Sequence, residues 1–169
     1  MAHTLCLHGY IFIYGMKKIK LTQSKFAIVD DEDFEYLNQF KWFAFNSRGI
    51  YYACRGKNKK NIFMHREIMK TVKDMVVDHK NHNGLDCRKS NMRNCTKTEN
   101  MRNRKSSKNS SSKYLGVSWC KARKKWQAHI FINKKSKNLG RFIKEIEAAK
   151  RYNKFAKIIH GDFANINQI

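Results

Sequence analysis

The stretch "VVDHKNHNGLDCRKSNMRNCTKTEN", residues 76–100, decides how this chain is read. Its β-branched opening predicts a strand that ends on the adjacent Asp78 and His79. The polar run containing "NHNG" predicts a turn, and "NMRNCT" a second strand. "TKTE" has the form of a capping box, with Thr96 as the cap and Glu99 three residues on. A helix is therefore expected there, with Asn100 in its first turns. The unit is two short strands, a long polar loop between them, and a helix.

These residue types suit phosphodiester hydrolysis. An imidazole with a reference pKa near 6.5 can take a proton from water close to neutral pH. Carboxylate and amide oxygens are the hard ligands that Mg²⁺ and Mn²⁺ prefer, and a closing Asn suits them better than Zn²⁺. Asp78 and Asn100 are the expected metal ligands and His79 the expected general base. Asn91 is expected to orient the imidazole by a hydrogen bond. Strand alternation points Asp78 and His79 to opposite faces, so a twist is needed for both to reach one phosphate. His82 is either a turn residue or a phosphate contact. His65, in "MHREIM", packs, orients backbone or touches phosphate. Arg66, Arg88 and Arg93 are candidates for holding the scissile phosphate.

Together these residues resemble the HNH endonuclease motif, in the variant of phage and viral homing-type enzymes that opens with Asp-His and closes with Asn. The likeness runs over roughly residues 17–104, including "DDEDFEYLNQFKW" upstream. It implies a ββα-metal nuclease fold, His79 as base, Asp78 and Asn100 on a divalent ion, and Asn91 in support of His79. The implied products are a 3′-hydroxyl and a 5′-phosphate, with nicking expected from one active site per chain.

Upstream, "FAIVDDEDFEYL" reads as a strand over Phe26–Val29 and a helix capped by Asp30 or Asp31, with Phe34, Leu37 and Phe40 as its apolar stripe. "IYYAC" and "NIFMH" read as strands around a "RGKNKKN" turn, with a brief helix over Arg66–Lys70. Residues 1–16 are an N-terminal extension: an extra strand, or a tail before an alternative start at Met16. The extension has no basic leader or cleavage pattern and is too short to span a bilayer.

Downstream, residues 105–113 form a Ser/Lys/Asn-rich linker, expected to be flexible and cationic. Residues 114–167 read as three strands and a helix. Trp126, Ala128, Ile130 and Ile132 line one face of the middle strand, and Ile146, Ala149, Tyr152, Phe155, Ala156 and Ile159 form the helix stripe, with Gly161 as C-cap. Trp119 and Trp126 are expected core aromatics. "KYLGVSW", "KKWQAHI", "NLGRF" and "EAAKRYNKFAKIIHG" resemble the AP2 DNA-binding domain, which implies a three-stranded antiparallel sheet packed on one helix and entering the major groove. Leu115, Ser118, Cys120, Phe131, Ser136 and Asn138 stand where plant-type domains carry arginines and other basic or Trp positions, so no target sequence carries over. The expected fold class is α+β throughout.

Charge names the partner. The net charge is +23, and residues 101–144 carry fourteen basic residues and no acidic one, against six basic and five acidic in residues 1–50. Such a tract calls for a polyanion. Expected contacts to double-stranded DNA are Ser118, Lys121, Arg123, Lys124, Lys125, Gln127 and His129 on the sheet, with Arg102, Arg104, Lys105 and Lys108 before it. Five cysteines without a CxxC pair predict small buried hydrophobes in a reducing, intracellular compartment, host cytoplasm or nucleus if the source is viral. No membrane partner is expected, and nothing in the sequence decides between monomer and weak dimer. The competing functional reading is a DNA-binding regulator that keeps both folds without turnover; a structural RNA-binding protein is a third.

Overall fold

The computed structural model describes residues 6–7, 10–11, 15–107, 109–132 and 135–169. Chain contacts divide it into two compact units, Met1–Lys97 and Thr98–Ile169. The sixteen-residue extension and Lys108 lie wholly or largely outside the described residues; of the former, β1 (Cys6–Leu7) and β2 (Tyr10–Ile11) form a short antiparallel ladder.

In the first unit β3 (Met16–Lys20) pairs with β4 (Phe26–Asp30), and helix α1 (Asp31–Leu37) follows directly. The expected cap does not form in side-chain terms. Asp30 occupies the N-cap position with no capping hydrogen bond, and its carboxylate instead accepts the Lys89 amide at 2.8 Å. Strands β5 (Phe43–Ser47), β6 (Ile50–Lys57) and β7 (Lys60–Phe63) form a three-stranded antiparallel sheet. The "RGKNKKN" turn contracts to Asn58 and Lys59, both with positive φ, as a two-residue turn matched to strand twist requires. Helix α2 (Met64–Ile68) starts two residues earlier than expected.

Strands β8 (Val76–His79) and β9 (Met92–Cys95) pair antiparallel, and helix α3 (Lys97–Arg102) follows. The loop between them is docked on the first hairpin by backbone: Ile28 N–H donates to Leu85 O and Cys87 N–H to Ile28 O, each at 2.8 Å. The core gathers around Ile19, Val29, Leu37, Trp42, Met64 and Met92. Cys54, Cys87 and Cys95 are buried free thiols, as expected of small hydrophobes.

In the second unit β10 (Val117–Cys120), β11 (Lys125–Ile132) and β12 (Lys135–Phe142) form a three-stranded antiparallel sheet in that order, backed by α4 (Glu145–His160). Ala128, Ile130, Ala148, Ala149, Tyr152 and Ala156 make its buried centre. The helix stripe differs from expectation at Ile146, which is 40 % exposed. At 100° per residue it falls off the stripe, and Ala148 takes the buried place. Trp126 packs against the core, whereas Trp119 lies at its rim, 39 % exposed, edge-on to Trp126 at 5.1 Å.

The serine-rich stretch is tied down at its C-terminal end, unlike a flexible linker. Ser112 is buried, its hydroxyl donates to Glu145 at 2.6 Å and accepts the Tyr114 amide, and Ser111 accepts the Trp119 amide. Composition alone reads serines as solvent-loving; local hydroxyl-to-backbone bonds are their other use.

Candidate metal and nucleic-acid sites

The polar loop of residues 80–91 is built from its own side chains. Asn81 and Asn83 accept the amides of Asn83 and Leu85, making successive side-chain turns. Buried Asp86 accepts from Asn81 Nδ2 at 2.8 Å and from two nitrogens of Arg88 at 2.7 Å. Asn91 crosses the loop: its Nδ2 donates to Asp86 O at 2.8 Å and its Oδ1 accepts the Asn81 amide at 3.1 Å. These bonds place Asn91 as a brace for the loop that leaves His79, where the sequence reading had it bonding the imidazole itself. Gly84 serves packing and not the turn. The left-handed residue is His82, at φ 62°, while a Cβ on Gly84 would lie 2.6 Å from Tyr51 O and from the Tyr52 ring.

Asp78 and His79 are both buried at the end of β8. Asp78 faces Arg93 across the ladder, and two guanidinium nitrogens donate to its Oδ2 at 2.8 and 2.6 Å. His79 faces the core residue Met92, so adjacent side chains leave opposite sides of the ladder as alternation demands. The ladder stops at His79, and any group meeting both must come from that end.

His79 sits among aromatic rings. The His65 ring stands perpendicular to it at 5.2 Å between centroids, and Tyr52 lies 5.4 Å from His65 and 5.9 Å from His79. Phe63 stacks on His65 at 5.4 Å. Burial lowers the His79 pKa, with the Asp78 and Asp86 carboxylates pulling it back up. Burial, then the neighbouring His79 and Arg66, takes the His65 pKa down to about 3. Both rings are thus neutral bases at neutral pH. Tyr52 was missed in the sequence because "IYYAC" carries no mark distinguishing one strand tyrosine from the next.

The arginines have partners within the unit. Arg66 donates to the carbonyls of Met75, Thr71 and Val72, closing the loop before β8. Arg88 is held by Asp86 and Arg93 by Asp78. Asp30, Glu32 and Asp33 gather acidic oxygens within reach of one ion, but the Lys89 ammonium already lies 2.7 Å from Glu32 and 3.0 Å from Asp33. Asn100 is exposed on the part of α3 that belongs to the second unit.

In that second unit, Ser118, Gln127 and Arg141 form one cross-strand row on the sheet face away from α4. Lys125 lies opposite Cys120, and Lys121 and Arg123 occupy a 3-10 turn closed by Lys124 in left-handed conformation, φ 48°. All four cations are exposed. Arg141 escaped the sequence reading for a definite reason. Two positions from buried Leu139, alternation puts it in the core, but a β-bulge at Leu139–Gly140, with Gly140 at φ 125°, turns it to the outer face. His129 is half-buried, and that burial, followed by the Arg104 charge, lowers its pKa. Arg104 lies over the Phe131 ring, and Lys105 is exposed.

Comparison with known proteins bears on the first unit most directly. Residues 63–102 match the family model described as HNH endonuclease. Over 146 residues the chain is 29 % identical to a protein of Acanthamoeba polyphaga mimivirus named as an uncharacterized HNH endonuclease, covering 85 % of this chain and 75 % of that one. No solved structure matches the chain. None of the described helices is long and apolar enough to cross a membrane.

Proposed function

We propose that this chain is a divalent-metal-dependent DNA endonuclease of the homing type, with residues 114–167 as an AP2-like module that seats it on double-stranded DNA. One observation carries the reading: a buried imidazole at His79, next in sequence to the Asp78 carboxylate, inside the segment that matches the HNH endonuclease family.

The donor set suits a hard cation. Asp78 offers carboxylate oxygens, which Mg²⁺ or Mn²⁺ takes with phosphate oxygens and water, and the amide oxygen of Asn100 is a donor of the same hard kind. When bound, the ion would neutralise charge on the phosphate and on the leaving 3′ oxygen. The remaining work belongs to the chain. His79 accepts a proton from the attacking water, a task that requires the neutral ring which burial maintains. Asn91 fixes the loop leaving His79, His65 meets the imidazole edge-on, and the tilted Tyr52 ring packs beside both. Arg93 neutralises Asp78 in the free protein and would exchange it for a phosphate when DNA binds, a ligand its planar fork fits. Arg66 and Arg88 stabilise the scaffold on either side. In the second unit the Ser118–Gln127–Arg141 row faces the groove, while Lys121, Arg123, Lys124 and Lys125 meet phosphates.

The test is scission of supercoiled DNA with Mg²⁺ and with EDTA. The expected result is nicked circles with Mg²⁺ alone, and loss of scission with retained binding in His79→Ala. Undiminished cleavage by that variant overturns the assignment. Binding without scission under either condition leaves a DNA-binding regulator, and preference for RNA in direct competition leaves a structural RNA-binding protein.

A further inference from the structure

The second unit holds a cavity whose lining includes Arg102, Arg104 and His129, none of them in the Ser118–Gln127–Arg141 row. Its volume is ≈ 440 Å³, and Leu115, Ile130, Phe131 and Tyr152 supply apolar wall, with Met101 of α3 also lining it. That size and lining suit one small, flat molecule. Thr98, His129 and three further cationic or polar groups interrupt the wall. Arg102 and Arg104 both line it, the Arg104 guanidinium lying 5.4 Å from the centre of the Phe131 ring.

The third is His160, 8 % exposed. Its Nε2 lies 3.3 Å from Phe131 O. An oxygen there can only accept, so Nε2 carries the proton and, in the neutral ring, Nδ1 is an acceptor. Burial and the Arg102 charge both favour that neutral form. Nδ1 is buried and has no hydrogen-bond partner among the described residues. A buried acceptor without a donor is costly, and such a group calls for an explanation.

A ligand answering all three features has a flat unsaturated body, an N–H donor edge and an anionic tail. We propose that this cavity binds a single nucleotide, its base between the apolar walls and its phosphate at Arg102 and Arg104. A plain apolar ligand leaves both arginines and His160 unused. The nucleotide comes either from a bound duplex, extruded from the stack, or from free mononucleotide. Extrusion costs least where a base is already unpaired. The inference rests on DNA as the partner but not on cleavage.

The experiment uses the full chain in EDTA, so that no scission occurs. Fluorescence anisotropy compares a perfect duplex with the same duplex carrying one unpaired adenine, and dAMP is titrated separately. Met101 is 67 % exposed, so Met101→Trp narrows the cavity without disturbing the core. Preference for the unpaired-adenine duplex by about tenfold, abolished in Met101→Trp with perfect-duplex affinity unchanged, is the expected result and assigns the nucleotide to DNA. Saturable dAMP binding without that preference, again lost in Met101→Trp, supports the cavity and assigns it to free nucleotide. Equal affinity for both duplexes with no dAMP binding overturns the proposal, as does any preference that survives Met101→Trp. Failure to bind either duplex refutes the DNA reading instead, and the dAMP titration then decides the cavity alone.

Discussion

The two units use the same charged residue types in opposite ways. Up to Lys97 the chain has eighteen basic and nine acidic residues; after it, eighteen and four. In the first unit arginine and carboxylate meet within the fold: Arg55 with Glu67, Arg88 with Asp86, Arg93 with Asp78. In the second, no ion pair among the described residues involves Lys121, Arg123, Lys124, Lys125 or Arg141. Paired guanidinium groups shape a site; exposed unpaired ones raise the local potential and wait for a polyanion. An arginine's role is thus set by the acids its fold places nearby, which the count of charges does not reveal.

The sharpest way to break this contrast is one substitution made in both units. Arg93→Ala takes the guanidinium from a carboxylate whose side chain is only 4 % exposed. Stripping a buried charge of its partner costs about 3 kcal/mol. Arg123→Ala, at an exposed position, should change stability by less than about 0.5 kcal/mol. Urea unfolding monitored for each variant measures both, and similar small losses would erase the distinction between the units.

A second effect separates them by pH. The folded-state pKa of His65 is depressed to about 3, against an ordinary 6.5. Above pH 6.5 both folded and unfolded forms are neutral there. As pH falls through 6.5 toward 3, the unfolded chain takes up a proton that the folded one refuses, so stability declines across that window. The slope for one proton is at most about 1.4 kcal/mol per pH unit. His65→Phe, which keeps a ring beside Phe63 and Tyr52, should flatten the decline. His129 is lowered for the same reason but less buried, and His129→Phe should flatten it less. Equal slopes for wild type and His65→Phe would show that the ring is protonated in place.

Much of the first unit was legible because its signals are local. Val76 and Val77, the polar loop and the "TKTE" sequence mark two strands and a helix start without reference to anything distant. What stayed hidden was long-range. The docking of Leu85 and Cys87 on Ile28 is made by backbone, which every residue type carries alike. Asp30 reads as a cap because caps are local, yet it bonds an amide fifty-nine positions away. Asn91 was legible as a support but not in what it supports, since the sequence does not say which amide a side chain will meet. In the second unit the strand periodicity places Ala128 and Ile130 correctly in the core, but alternation alone cannot give the face of Arg141, because a single bulged residue inverts every side chain beyond it.

The smallest predicted effect is on stability, and the largest difference is in how it reports. Lys125 is exposed at the end of β11, opposite Cys120 and one position after the left-handed Lys124. Lys125→Gln should leave unfolding nearly unchanged, since the ammonium has no ion pair among the described residues to lose. Binding should weaken by a similar factor on unrelated duplexes, because a phosphate contact carries no base information. The dependence of log affinity on log salt should flatten by roughly one unit, the release of about one counterion. Arg141→Gln, in the row with Ser118 and Gln127, supplies the contrast: a groove-facing guanidinium should alter the ranking of sequences more than the salt slope. If the lysine changes ranking and the arginine changes only slope, their places on the DNA are reversed, and the outer row faces phosphate rather than bases.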